Sequence, residues 1–329
     1  MEADRLEQPS ADHPHRAALE IAAAAGFSAL SFSLFLVLPL VGAVGVPLAA
    51  VPTVRLAHRR GVVAAIMASA LSGALIAGVS VAGGDPQGVP RGVIAAVIAL
   101  LPALFAASSK RSGNPSRAYL LLCAVGAVGV AAFFLGGAAA SGRPVGDEIA
   151  KEFDRMIPAA IESYSRSGMD TATVVRVRST LETAREFSRR YWAGLLGMLW
   201  VLSAAISFYA GARAARPAPS AEAARFEALR VPAAVAPLFI AAGAGSALLP
   251  ATSRPIAGSI LLPLAALYFV AGLSIICHFA RKWFRFWLLR VGLYTLVAYF
   301  PMNVGVALLG LFDWYADFRR RGAGAIETR

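Results

Sequence analysis

The sequence predicts an all-α fold, a polytopic transmembrane helical bundle of about 8–10 crossings that carries an extracytoplasmic helical hairpin. Three observations lead there. Of 329 residues, 58% are hydrophobic and only 15% charged, whereas a soluble domain carries roughly 25% charged residues. The charges gather in short islands, and between them run apolar stretches of about 18–26 residues, each long enough to cross roughly 30 Å of hydrocarbon as a helix. The islands at every second loop are basic. The apolar runs are continuous and do not alternate with period two, which excludes an outer-membrane barrel. Only helices, which satisfy their own backbone hydrogen bonds, fit the pattern.

Residues 1–16 are polar and mixed in charge and read as a disordered cytoplasmic tail. Residues 17–141 form a first group of membrane helices. Their opening run, 17–54, is interrupted by one charge, Glu20, and exceeds the roughly 7–15 residues of a signal-peptide core. It is long enough for two short spans, with Pro39, Pro47 and Pro52 marking a turn and a broken second helix. The run closes at Arg55, His58, Arg59 and Arg60. Residues 61–84 follow, then the turn Asp85-Pro86-Gln87-Gly88, then 93–109, an island of Lys110, Arg111 and Arg117, and 118–141. The second group, 191–318, begins with 191–212 and a Pro/Ala linker bearing Arg213, Arg216, Arg225 and Arg230. Runs at 231–249 and 256–280 lead to Arg281, Lys282 and Arg285. The last run, 286–312, is split by Pro301 into two short helices, and residues 319–329 form a cytoplasmic tail.

Five basic islands therefore recur, at 55–60, 110–117, 213–230, 281–290 and 319–321. The positive-inside rule assigns them, and both termini, to the cytoplasm. The number of crossings is then even: ten, or eight if one terminal pair is re-entrant. The net charge of +12 is a set of membrane collars, without the basic stripe that nucleic acid requires.

Residues 142–190 interrupt the apolar pattern. From 143 to 190 there are nine basic and eight acidic residues. Ile149, Phe153, Met156, Ile157, Ala160, Ile161 and Tyr164 recur at threes and fours, the face of one helix. Gly168 stops it, and Asp170 or Thr171 caps a second, whose face is Val174, Val177, Leu181, Ala184, Phe187 and Tyr191. That helix runs without a break signal into the next span, while Pro158 predicts a kink in the first. The hairpin reads either as a packed cap or as a lid or docking surface.

No sequence motif supplies a reaction. There is no phosphate loop, HExxH, CxxC or GxSxG, so no catalytic residue, metal ligand or cofactor is predicted and the chain does not read as an enzyme. Cys123 and Cys277 lie in apolar runs and read as small buried hydrophobes. Ionisable residues inside spans are costly and mark sites. Glu20 lies one turn inside the first span, where snorkelling to the interface satisfies it. Ser274 and His278 share a helical face, as do Asp313 and Asp317, with Arg321 one turn further on. Ser274, His278, Asp313 and Asp317 form the candidate polar cluster, with Trp314 and Tyr315 as interfacial anchors. Ala25, Ala29 and Ser33 form a ridge of small residues, the candidate partner-binding face.

The C-terminal third carries a resemblance. The run from Tyr268 to Ser274 (YFVAGLS), the basic turn at Arg281-Lys282, Phe300-Pro301 and the run from Gly310 to Arg320 (GLFDWYADFRR) resemble the YybS-like family, bacterial membrane proteins of unknown function. That family is distantly similar to the substrate-binding components of energy-coupling-factor vitamin transporters and to the rod-shape protein MreD. The resemblance implies residence in the bacterial inner membrane and a helical bundle with a small-molecule cavity near the outer face. It also implies a ridge on the first helix that meets a coupling subunit, which Ala25 and Ala29 match by type and spacing and Ser33 extends. Two functions are expected: a small-molecule binding or transport component, or a structural or scaffolding protein of cell-envelope assembly. The expected partners are the lipid bilayer, a membrane coupling subunit or a second copy, and a small-molecule ligand, with no nucleic acid.

Overall fold

The computed structural model describes residues 14–37, 45–142, 144–167, 170–216, 225–283 and 302–316, with single positions at 288, 292, 293, 297 and 318. Readings that fall on residues 1–13, Pro39, Gly168, Arg285, Pro301, Asp317 and 319–329 lie outside the described residues. Among those described, every regular element is helical.

Helix α1, Pro14–Val37, opens on a proline, whose missing N–H is harmless in a first turn. Residues 14–16, read from sequence as the end of a disordered tail, are therefore its start. The second apolar segment is a broken helix: residues 45–49 are helical, Ala50 turns, and α2 follows as Val51–Arg59. Gly61, at φ 94°, leads into α3, Val62–Ala82. Helix α4, Gly88–Ser112, ends at the left-handed Gly113, and α5 is Pro115–Ser141. Then come α6, Val145–Arg166, and α7, Thr171–Ala214. Short 3-10 turns at Phe226–Ala228 and Ala233–Val235 precede α8, Ala236–Leu248, α9, Arg254–Trp283, and α10, Met302–Ala316.

Five of these helices are long and apolar enough to cross a membrane, and three shorter apolar helices accompany them. The outward faces suit lipid: Leu19 and Leu30 on α1 and Val63 and Met67 on α3 are exposed. Such large apolar side chains gain nothing from water, and in a bilayer they meet acyl chains. The protein is an all-α polytopic helical bundle.

The chain divides into two units, residues 1–122 with 203–229, and residues 123–202 with 230–329. In the first unit α3 lies against α4, α1 against α2 and α3, and α2 against α4. The α3–α4 approach is made by glycine on both sides, since a Cβ on Gly73 would stand 2.6 Å from the Gly92 carbonyl oxygen. Phe32, Ile76 and Ala95 form one apolar cluster, with Ala29, Ile94 and Ile98 packed on it. Tyr119, Phe208, Tyr209 and Phe226 form a chain of ring contacts with centroids 5.1–6.3 Å apart.

In the second unit α9 packs on α8 and α10, and Gly194 of α7 touches Ser259 of α9, where a Cβ would lie 2.6 Å from the Ser259 Cα. Helix α6 pairs with the charged arm of α7, residues 171–190, which precedes that helix's apolar span. Arg185 Nε meets Asp154 Oδ1 at 2.7 Å and Arg189 Nη1 meets Asp147 Oδ1 at 3.6 Å. Later residues on one arm face earlier residues on the other, so the two run antiparallel. Asp170 caps the second arm, its Oδ2 accepting the Thr173 N–H at 3.1 Å. Hydrogen bonding to Thr173 holds the Asp170 carboxyl below the usual carboxylate range.

Two details differ from the sequence expectation. Helix α6 runs uninterrupted across Pro158; the proline is exposed, so water can serve the carbonyl left without a donor. The interruption falls instead at Tyr191, whose φ of −115° and ψ of 21° leave the helical region. Its ring lies against Gly258 of α9, a tertiary contact that no local signal announces.

Candidate functional site

The polar side chains of the first unit converge on the broken helix. Pro47 and Pro52 have no N–H to donate, so a regular ladder across residues 45–59 is unavailable. At membrane depth such a break is tolerated when other groups meet the backbone. Three buried hydroxyls do so. Ser207 Oγ of α7 donates to the Pro47 carbonyl at 2.6 Å, and Ser28 Oγ of α1 donates to the Ala49 carbonyl at 2.6 Å. Thr53 Oγ1 reaches the Ala50 carbonyl at 2.8 Å and that of Ala99, in α4, at 2.6 Å. Ala99 lies three residues before Pro102, which sits inside α4. The proline opens that helix locally, and a threonine from the neighbouring helix fills the gap.

Below the break, α2 carries His58, only 2% exposed, while Arg55 and Arg59 are exposed. The helix ends at Arg60, whose Nε donates to Glu20 Oε2 of α1 at 2.6 Å. Glu20 is thus paired with a basic island and ties the first helix to the end of the broken one. Close packing holds the frame. A Cβ on Gly45 would stand 2.5 Å from the Ser31 carbonyl oxygen, and Gly211 of α7 lies against Val54 and the Val51 carbonyl.

The residues singled out from sequence fall elsewhere. Ala25 is buried and Ala29 half-buried, with Ala29 packed on the Phe32–Ile76–Ala95 cluster; Ser33 is half-buried. The upper part of the ridge is therefore a packing face within the chain's own first unit. Ser274, His278 and Asp313 lie on the α9–α10 pair of the second unit. These helices meet where Gly272 faces Val306 and Gly310 faces the Tyr268 carbonyl. Ser274 is fully buried and donates to the Ala271 carbonyl of its own helix at 2.7 Å. His278 is half-buried, its ring 5.3 Å from that of Phe279, and Asp313 is half-buried.

Sequence reasoning missed Ser28, Thr53, Ser207 and the burial of His58. For Thr53 a signal existed, a hydroxyl directly after a proline in an apolar run. For His58 the signal was its spacing from Val54, one turn away on the same face once α2 continues through the basic cluster. Ser28 and Ser207 had no local mark. Among the described residues no group of three or more His, Cys, Asp or Glu side chains is placed to hold a metal ion.

Comparison with curated proteins and with solved structures gives no match. A family model described as "Predicted membrane protein (DUF2232)" matches residues 26–314, which take in the broken helix, the hairpin and the α9–α10 crossing. The chain belongs to this family of predicted membrane proteins.

Proposed function

We propose that this multi-pass protein is a small-molecule-binding component of a membrane transport system, with the broken helix of the first unit as its binding element. The observation that carries the reading is the interruption at Ala50, where hydroxyls from three segments converge on helix carbonyls. Discontinuous helices recur as the substrate elements of secondary transporters, because they offer carbonyls and helix ends at membrane depth. A ligand bearing hydroxyl, amide or ammonium donors competes with Ser28, Thr53 and Ser207 for these acceptors. The resemblance to energy-coupling-factor binding components points the same way. The basic islands support placement in a bacterial inner membrane with both termini cytoplasmic, and with them the even crossing count and the outward-facing hairpin.

The test is native mass spectrometry of the full chain, gently extracted, beside Thr53→Val. A retained mass below about 1 kDa that the variant loses while staying folded is the expected result. A scaffolding role in envelope assembly is favoured by a different observation: each of the three hydroxyls already has a carbonyl partner within the chain, while the hairpin keeps Met156 and Phe187 exposed. On that reading no small mass is retained, and Thr53→Val changes stability alone.

A further inference from the structure

Three of the five basic islands, far apart in sequence, meet at one end of the first unit. Helices α3 and α4 are joined at their far end by a short turn and lie side by side, so the turn before α3 and the turn after α4 share an end. Helix α1 is brought there by Glu20–Arg60. The end of α7 is brought there by Gly211 against Val54 and by the Tyr119–Tyr209 ring contact. The Phe226–Ala228 turn joins them through the Tyr209–Phe226 contact and the hydrogen bond from Ser116 Oγ to the Ala228 carbonyl at 3.4 Å. Arg55, Arg59, Arg111, Arg117, Arg213 and Arg225 are all exposed at this end. Against them, the described acidic residues are Glu20, already paired with Arg60, and Glu227. The opposite end shows no such excess: Asp85 pairs with Arg91 there.

Two further observations say what this surface takes. Arg216 Nε is buried with no hydrogen-bond acceptor among the described residues, and a guanidinium N–H in that position calls for an anionic oxygen. Directly beyond Arg59 and Arg60, the first turns of α3 expose Val63, Ile66 and Met67, an apolar strip running away from the arginines. A free anion makes no use of that strip, whereas an amphiphile with a phosphate head and an acyl chain fits both parts. We propose that this end of the first unit binds the phosphate headgroups of anionic phospholipids, with the acyl chains lying along α3. Arginine forks match phosphate oxygens, and basic clusters at helix ends attract anionic lipid over the short range of the surface potential.

The experiment is native mass spectrometry of the full chain in detergent, titrated with phosphatidylglycerol or with phosphatidylcholine of the same acyl chains. Phosphatidylglycerol is expected to be retained at least about tenfold more tightly. The variant Arg55→Gln/Arg59→Gln/Arg213→Gln is expected to bring the two lipids level. A matched variant in the hairpin, Arg176→Gln/Arg178→Gln/Arg190→Gln, loses the same charge and is expected to keep the preference. No preference in the unaltered chain, or equal loss in both triple variants, overturns the assignment; the second outcome reduces it to net charge. Displacement of phosphatidylglycerol by equimolar inorganic phosphate overturns it as well, in favour of a free-anion site. Should the triple variant fail to fold, the single changes Arg59→Gln and Arg213→Gln, at exposed positions, carry the comparison: a preference undiminished in both overturns the proposal.

Discussion

Thr53 has one hydroxyl proton and two carbonyls within reach, Ala99 at 2.6 Å and Ala50 at 2.8 Å. The Ala99 carbonyl gains most from it, because Pro102 has loosened the helix there and no water is available in a buried site. Leaving a buried acceptor unmet costs about 1–3 kcal/mol. Thr53→Val keeps the shape and removes the donor, so it is expected to destabilise the chain by about that amount. Ser28→Ala acts on the Ala49 carbonyl in the same sense and is expected to cost about 1 kcal/mol. Thermal melting in detergent checks both. An unchanged melting temperature for Thr53→Val means that the opened turn of α4 does not depend on the hydroxyl. Ser274 differs: it donates to a carbonyl within its own helix, and Ser274→Ala removes no link between helices.

Helices α9 and α10 approach so closely that the Gly272 and Gly310 positions have no room for a side chain. Van der Waals contact over a close approach drives helix association in lipid, where there is little hydrophobic force between helices. Gly272→Ala places a methyl against the Val306 carbonyl, and such overpacking costs roughly 1–3 kcal/mol. Gly305, on the same α10, has open space around its would-be Cβ. Gly305→Ala is expected to stabilise the helix by up to about 1 kcal/mol. Opposite signs in the two melting curves identify the crossing; equal effects show propensity alone. The hairpin is held differently, by exposed charges. Hydrogen bonds from Arg189, and then Arg190, hold the Glu186 carboxyl at about 2 rather than its ordinary 4.5. A depressed carboxylate contributes stability that is complete above its unfolded value and lost as pH falls through the folded one. Amide exchange over residues 180–190, corrected for intrinsic rates, is therefore expected to speed up a few-fold between pH 4.5 and about 2. The Glu186→Gln variant should lack that step, and a step of the same size in the variant assigns it to other carboxylates.

At the scale of the molecule the open quantity is orientation, which the hairpin reports. Ser165 is exposed near its tip. In a chain with Cys123 and Cys277 replaced by alanine, Ser165→Cys is expected to react with a membrane-impermeant thiol reagent in cells whose outer membrane has been made permeable. Labelling only after lysis reverses the whole topology. The all-α bundle, the positions of the apolar runs, the break in the second helix and the two amphipathic arms of the hairpin were legible from sequence alone. Their causes are local: the length of an apolar run against the thickness of hydrocarbon, a proline's missing N–H, a spacing of three and four. The partners of the break were not legible, because Ser28 lies 21 residues from Ala49, and Ser207 lies 160 from Pro47. The interruption at Tyr191, the burial of Ala25 inside its own unit and the meeting of three basic islands at one end were equally hidden. A hydrogen bond or a close steric approach between distant segments leaves no period and no composition in the chain, so only the packing of the helices against one another decides it.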